Sequence, residues 1–122
     1  MKIAIIGAGF AGLTLANRLA DTHDVSVYEK ARGPGGRMST RRADPFAFDH
    51  GAQYFTVETA RFEAFLAPFR KSSLIEPWPK EIACVGGARL SEKEKLVATP
   101  GMNSLCKALA ANVTVQARAH IE

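Results

Sequence analysis

Apolar and polar residues follow two different rhythms along this chain. Residues 2–6 (KIAII) are a short apolar run stopped at once by Gly7, the pattern of a fully buried strand. Over residues 11–21, Leu15 and Leu19 fall one turn apart with Ala16 and Ala20 beside them. That spacing predicts a helix with a small, close-packing face. Residues 24–30 (DVSVYEK) are rich in valine and end in an acidic and a basic residue, so a second strand is expected there. A strand, a helix and a strand within roughly thirty residues make a β-α-β unit, with parallel strands and a right-handed crossover.

From Ala31 to about Arg42, glycine and basic residues predominate and a loop is expected. A short strand is expected around Phe46–Phe48. Phe62, Phe65, Leu66 and Phe69 then recur at i, i+3, i+4 and i+7, one apolar stripe of a core-facing helix. Thr56 or Thr59 would cap its start, and Pro68 would end or kink it. Residues 76–81 (EPWPKE) read as a turn-rich link. Residues 81–85 (EIACV) and 95–99 (KLVAT) read as two strands of a hairpin that turns through Gly86-Gly87. A helix over about Met102–Ala111 follows Pro100-Gly101, and residues 112–122 (NVTVQARAHIE) alternate as a closing strand.

Composition narrows the class. The 122 residues are 47% hydrophobic and 23% charged, values of one ordinary globular domain. No segment approaches the ~18–20 apolar residues that a membrane-spanning helix needs, so no membrane partner is expected. The net charge of +4 is in the range that keeps a small domain soluble. Arg32, Arg37, Arg41 and Arg42 crowd one segment, as a phosphate-facing loop requires. No aromatic-plus-basic recognition motif goes with them, and nucleic acid is not expected. Cys84 and Cys106 form no CxxC and no metal spacing with His23, His50 or His120. With no disulfide framework, a reducing compartment, the cytoplasm, is expected. The first twenty residues superficially resemble an export signal, but three spaced glycines and Asn17-Arg18 argue against it.

The chemistry begins at Gly7-Ala8-Gly9-Phe10-Ala11-Gly12, a GxGxxG set between a strand and a helix. Gly7 allows the tight turn, Gly9 leaves room for a diphosphate, and Gly12 lets the helix pack on the strand. The diphosphate would sit at the helix N-terminus. Glu29 lies 17 residues past Gly12 at the end of the second strand, where an acid receives ribose hydroxyls and repels a 2′-phosphate. NAD and FAD share the adenosine diphosphate half, so this motif alone leaves both open.

The next segment, EKARGPGGRMSTRR, places Lys30, Arg32, Gly35, Gly36, Arg37 and Met38 just beyond that acid. Here the chain resembles the flavin-containing amine oxidase superfamily, in which a GGR follows the ribose acid and helps hold FAD. Together with FDHGAQYFT (residues 48–56), the segment resembles the renalase-like branch of that superfamily. The resemblance implies non-covalent FAD, with Ala11, Arg37, Gln53 and Tyr54 as cofactor contacts. It implies that Gly51 and Ala52 give a close main-chain approach and that Tyr54 supplies a flat wall. Asp49 would anchor the loop, and His50 would support it by a hydrogen bond rather than carry protons.

The implied fold is α/β, a Rossmann-like parallel sheet built from the first, second and last strands. Residues 1–36 and 100–122 would form the nucleotide-binding core. Residues 37–99 would be a long insertion carrying a helix and a β-hairpin toward the flavin and substrate side. Members of the superfamily are longer, so the chain is expected to be the N-terminal part of an FAD-binding domain, completed by the remainder of a parent chain or by self-association. The implied activity is oxidation of a small amine or dihydronicotinamide-type substrate by hydride transfer to flavin. No catalytic residue is assigned. The alternatives are an FAD-dependent desaturase or isomerase and a non-catalytic dinucleotide-binding module.

Overall fold

The fold is described from a computed structural model, over residues 1–78, 86 and 93–122. It is α/β, with a three-stranded parallel sheet in the order β1-β2-β7. Strand β1 (Lys2–Ile6) leads through Gly7 into helix α1 (Phe10–Leu19), and β2 (Asp24–Glu29) returns alongside β1 in a register that pairs Ile5 with Val27. A hairpin of β3 (Thr40–Ala43) and β4 (Phe46–Asp49) follows. Next come α2 (Ala60–Lys71) and a small antiparallel pair, β5 (Ile75–Pro77) and β6 (Leu96–Ala98). Helix α3 (Asn103–Ala110) then delivers β7 (Thr114–Ala117), which docks parallel to β2.

The sheet is covered on one face. Ile5, Val25 and Val27 bury against Leu13 and Ala16 of α1 and Cys106 and Leu109 of α3. Asn17 joins the two helices: its side-chain amide donates to the Leu13 carbonyl at 2.8 Å and to the Leu109 carbonyl at 2.9 Å. A second core fills the space between α2, α3 and the β5–β6 pair, with Leu66, Ile75, Leu96, Met102 and Leu105 buried and Phe62, Phe65 and Phe69 packed against them.

Several expectations change. β1 is not fully buried: only Ile5 is, and Ile6 stays 64% exposed, because the face that carries Ala4, Ile6 and Tyr28 meets no helix among the described residues. The packing stripe of α1 is Leu13 and Ala16, while Leu15 points outward. Gly12 sets this rotation by lying against the Gly7 carbonyl. The segment expected to be loop ends in β3, so Arg41 and Arg42 lie on an exposed hairpin. Helix α2, capped by Thr59, runs past Pro68 to Lys71. Pro68 costs only one hydrogen bond near the end of the helix, and Leu66 is already anchored in the core. The expected link at 76–81 begins as strand β5, in which Pro77 occupies the last position, where a missing N–H is tolerated. Residues 95–99 pair with this strand; the expected partner at 81–85 and Gly87 lie outside the described residues.

The sheet face with no helix over it should make the 122-residue chain self-associate. Light scattering on the isolated chain should give a mass above the 13.2 kDa monomer that falls on dilution. A single compact monomer at every concentration would contradict this.

Candidate cofactor site

The site starts where β1 ends. A Cβ on Gly12 would stand 2.3 Å from the Gly7 carbonyl oxygen, so only glycine lets α1 begin this close to the strand. No side chain caps the helix at Gly9, and its first turn holds no acidic residue. Its leading N–H groups therefore keep the partial positive charge of a helix N-terminus.

The second glycine motif lies directly on the first. Gly35 and Gly9 form a parallel bridge, and the Gly35 N–H donates to the Ala8 carbonyl at 3.0 Å. Glu29 lies behind them, buried. One carboxylate oxygen accepts the Ala8 N–H at 2.8 Å, and the other accepts the Ala31 N–H at 2.7 Å. The acid is therefore turned into the glycine loop.

The third element is the segment that follows β4. A Cβ on Gly51 would come 2.1 Å from the Arg37 carbonyl oxygen, and the Ala52 N–H donates to that same oxygen at 2.8 Å. Asp49 accepts from the Thr40 hydroxyl and from the Met102 N–H, and Thr40 in turn accepts the Asn103 N–H at 3.3 Å. Asp49 thus anchors this loop to the start of α3, where a negative charge is favoured. His50 lies 3.5 Å from the Ser39 hydroxyl.

These pieces enclose a cavity of about 680 Å³, a size suited to a small-molecule ligand. Gly7, Gly9, Phe10, Ala11, Gly12, Gly35, Gly36, Arg37, Met38 and Ala52 all line it. Lys30, Arg32, Gly51 and Gln53 are exposed and outside its walls, and the buried Glu29 is outside them too. Tyr54 is also outside: its ring packs edge-on against Trp78 at 6.0 Å, with the Lys95 ammonium 5.4 Å from its centre. The flat wall expected of Tyr54 is supplied by its neighbour Phe55 and by Phe62, together with Met102 and Leu105. Phe62 carried a signal, its place in the apolar stripe of α2, but that stripe reads as core. Met102 and Leu105 reach the cavity only through the long-range return of α3.

Cys106 is buried beneath Gly35, where its thiol donates to the Gly35 carbonyl at 3.8 Å. Burial pushes the thiol up to about 11. Cys84 lies outside the described residues. Among the described residues there is no cluster of three metal-ligating side chains and no helix long and apolar enough to cross a membrane.

Residues 5–69, more than half of the chain, match the NAD(P)-binding Rossmann-like domain family. The chain belongs to that family. Over 52 residues, 42% of its length, this Rossmann-like domain is 50% identical to 4,4'-diapophytoene desaturase (4,4'-diaponeurosporene-forming) of Staphylococcus aureus, in strains Newman and USA300 alike. The matched stretch spans about a tenth of each desaturase. The PF1083 protein from Pyrococcus furiosus shares the fold, with a TM-score of 0.54 and 16% identity over 97% of this chain and 51% of that one. An oxidoreductase from Methanosarcina mazei aligns over 81% of this chain and 25% of its own, with a TM-score of 0.49 and 24% identity.

Gly12→Ala and Gly51→Ala each push a methyl group into a carbonyl oxygen and should lower unfolding free energy by about 1–3 kcal/mol in denaturant titrations. Unchanged midpoints would contradict these contacts. The Cys106 thiol, raised from 9.0 to about 11, favours the folded state fully below pH 9 and loses that contribution as pH climbs toward 11. Iodoacetamide at pH 8 should therefore label Cys106 only after unfolding, read by peptide mass spectrometry.

Proposed function

We propose that this domain holds FAD non-covalently and is the nucleotide-binding part of a flavin-dependent oxidoreductase. The observation that carries the proposal is the convergence of two glycine motifs and the uncapped start of α1 on one open cavity, with the Glu29 carboxylate bonded to the glycine turn behind it. Its walls near the glycines present main chain rather than side chains, which suits a diphosphate. The lone pairs that Glu29 does not use on Ala8 and Ala31 can accept the ribose hydroxyls. Arg37, at the cavity wall, offsets phosphate charge. Phe55, Phe62, Met38 and Met102 give an apolar wall for a planar ring.

FAD, when bound, supplies a ring that takes a hydride and passes electrons to an acceptor. The chain's part is to fix that ring, exclude water and leave one side open to substrate. The resemblance of residues 48–56 to the renalase-like branch supports a small amine or a dihydronicotinamide as the substrate. Cytoplasmic placement and completion by the rest of a longer chain, or by self-association, belong to the same proposal. A second reading, an FAD-dependent desaturase, is favoured by the 50% identity to the diapophytoene desaturase. A third, a dinucleotide module without catalysis, is separated from both by colour.

The test is spectroscopic. Protein purified with its native flanking sequence should be yellow and should release FAD on denaturation. Arg37→Ala should weaken FAD binding by roughly tenfold, the loss of one charge-assisted contact. A colourless protein that binds NAD and not FAD would overturn the proposal. Anaerobic bleaching of the flavin by dihydronicotinamides or amines supports the first reading. Bleaching by a polyene hydrocarbon alone supports the second.

A further inference from the structure

Glu29 sits at one end of a chain of contacts that links the two glycine motifs to α3. Its Oε2 accepts the Ala8 N–H; the Ala8 carbonyl accepts the Gly35 N–H; and the Gly35 carbonyl accepts the Cys106 thiol. Its Oε1 accepts the Ala31 N–H, closing the turn that leaves β2. Glu29 and Gly35 are both buried, as are Ala8 and Cys106. We infer that Glu29 is a positioning residue for both glycine motifs, setting the place of Gly35 through Ala8 before any ligand arrives.

A buried carboxylate needs its acceptor capacity filled, and here two main-chain N–H groups fill part of it. The N–H of the buried Ala8 would be an orphaned donor without it. Ala8 stands between Gly7 and Gly9, so a shift of its peptide moves the turn that leads into α1. The Gly35 N–H donates to the Ala8 carbonyl, so the same shift loosens the second motif. Gly35 in turn carries Gly36 and Arg37 along the cavity wall. This role is independent of what the cavity binds, and it holds even where the FAD proposal fails.

The test is amide hydrogen exchange on the ligand-free chain. In the wild type, the Ala8, Ala31 and Gly35 amides should be protected. Glu29→Gln keeps the shape but presents one acceptor oxygen where two are needed. It should speed exchange at Ala8 or Ala31, and at Gly35, by about tenfold or more. Val27 and Leu109, in the core of the same sheet and helix, should be unaffected. Glu29→Asp, shorter by one methylene, should speed the same amides by a smaller factor. Fast exchange at Ala8 and Gly35 in the wild type would overturn the inference, even if Glu29→Gln does not fold. So would a Glu29→Gln chain in which Gly35 keeps wild-type protection, or one in which every amide in the sheet speeds up equally.

Discussion

The architecture turns on one close approach of main chain to main chain. At Gly12, helix α1 begins within van der Waals reach of the Gly7 carbonyl, and no side chain can come between them. That contact fixes the direction in which α1 leaves the sheet. It puts Leu13 and Ala16 on Val25 and Val27, and it aims the uncapped end of the helix across the tips of the strands. In a parallel sheet the strand tips are where ligands gather, because loops and helix starts converge there. The cavity is the space left when side chains are barred from that crossing.

The remaining walls arrive from far away in sequence. The loop after β4 rests on the Arg37 carbonyl through Ala52, and Asp49 ties that loop to α3. Two carboxylates therefore do similar work in different loops. Glu29 braces the glycine turns, and Asp49 braces the hairpin. Among the described residues neither faces a cation in an ion pair; each accepts N–H or O–H groups instead, which suits a site where an added positive charge would compete with Arg37.

Much of this was legible in the residues, and the reasons differ from element to element. The β-α-β unit was readable because valine runs, spaced glycines and a terminal acid are local signals. Gly35 and Gly36 were readable for the same reason. Asp49 as an anchor rested on likeness, and its partners Thr40 and Met102 came only with the fold. Tyr54 was expected in the wall but turns to Trp78 and Lys95, because one residue of strand register decides which of Tyr54 and Phe55 faces inward. Strand β5 was hidden by its proline, and the contributions of Met102 and Leu105 were hidden by distance in the chain. Local pattern specifies elements; it does not say which side chains meet across a gap.

The order β1-β2-β7 has a consequence for the history of each molecule. Glu29 pairs with Ala117, so the middle strand stays half-zipped until the chain has been made as far as β7. During translation, the β1-α1-β2 unit must wait with one ladder edge open while the hairpin, α2 and α3 emerge. Closing so long a loop costs only a little more entropy than closing a short one, since the cost grows logarithmically, but it is slow. The cell's folding machinery therefore meets this domain at the ribosome with its central strand bare along one side.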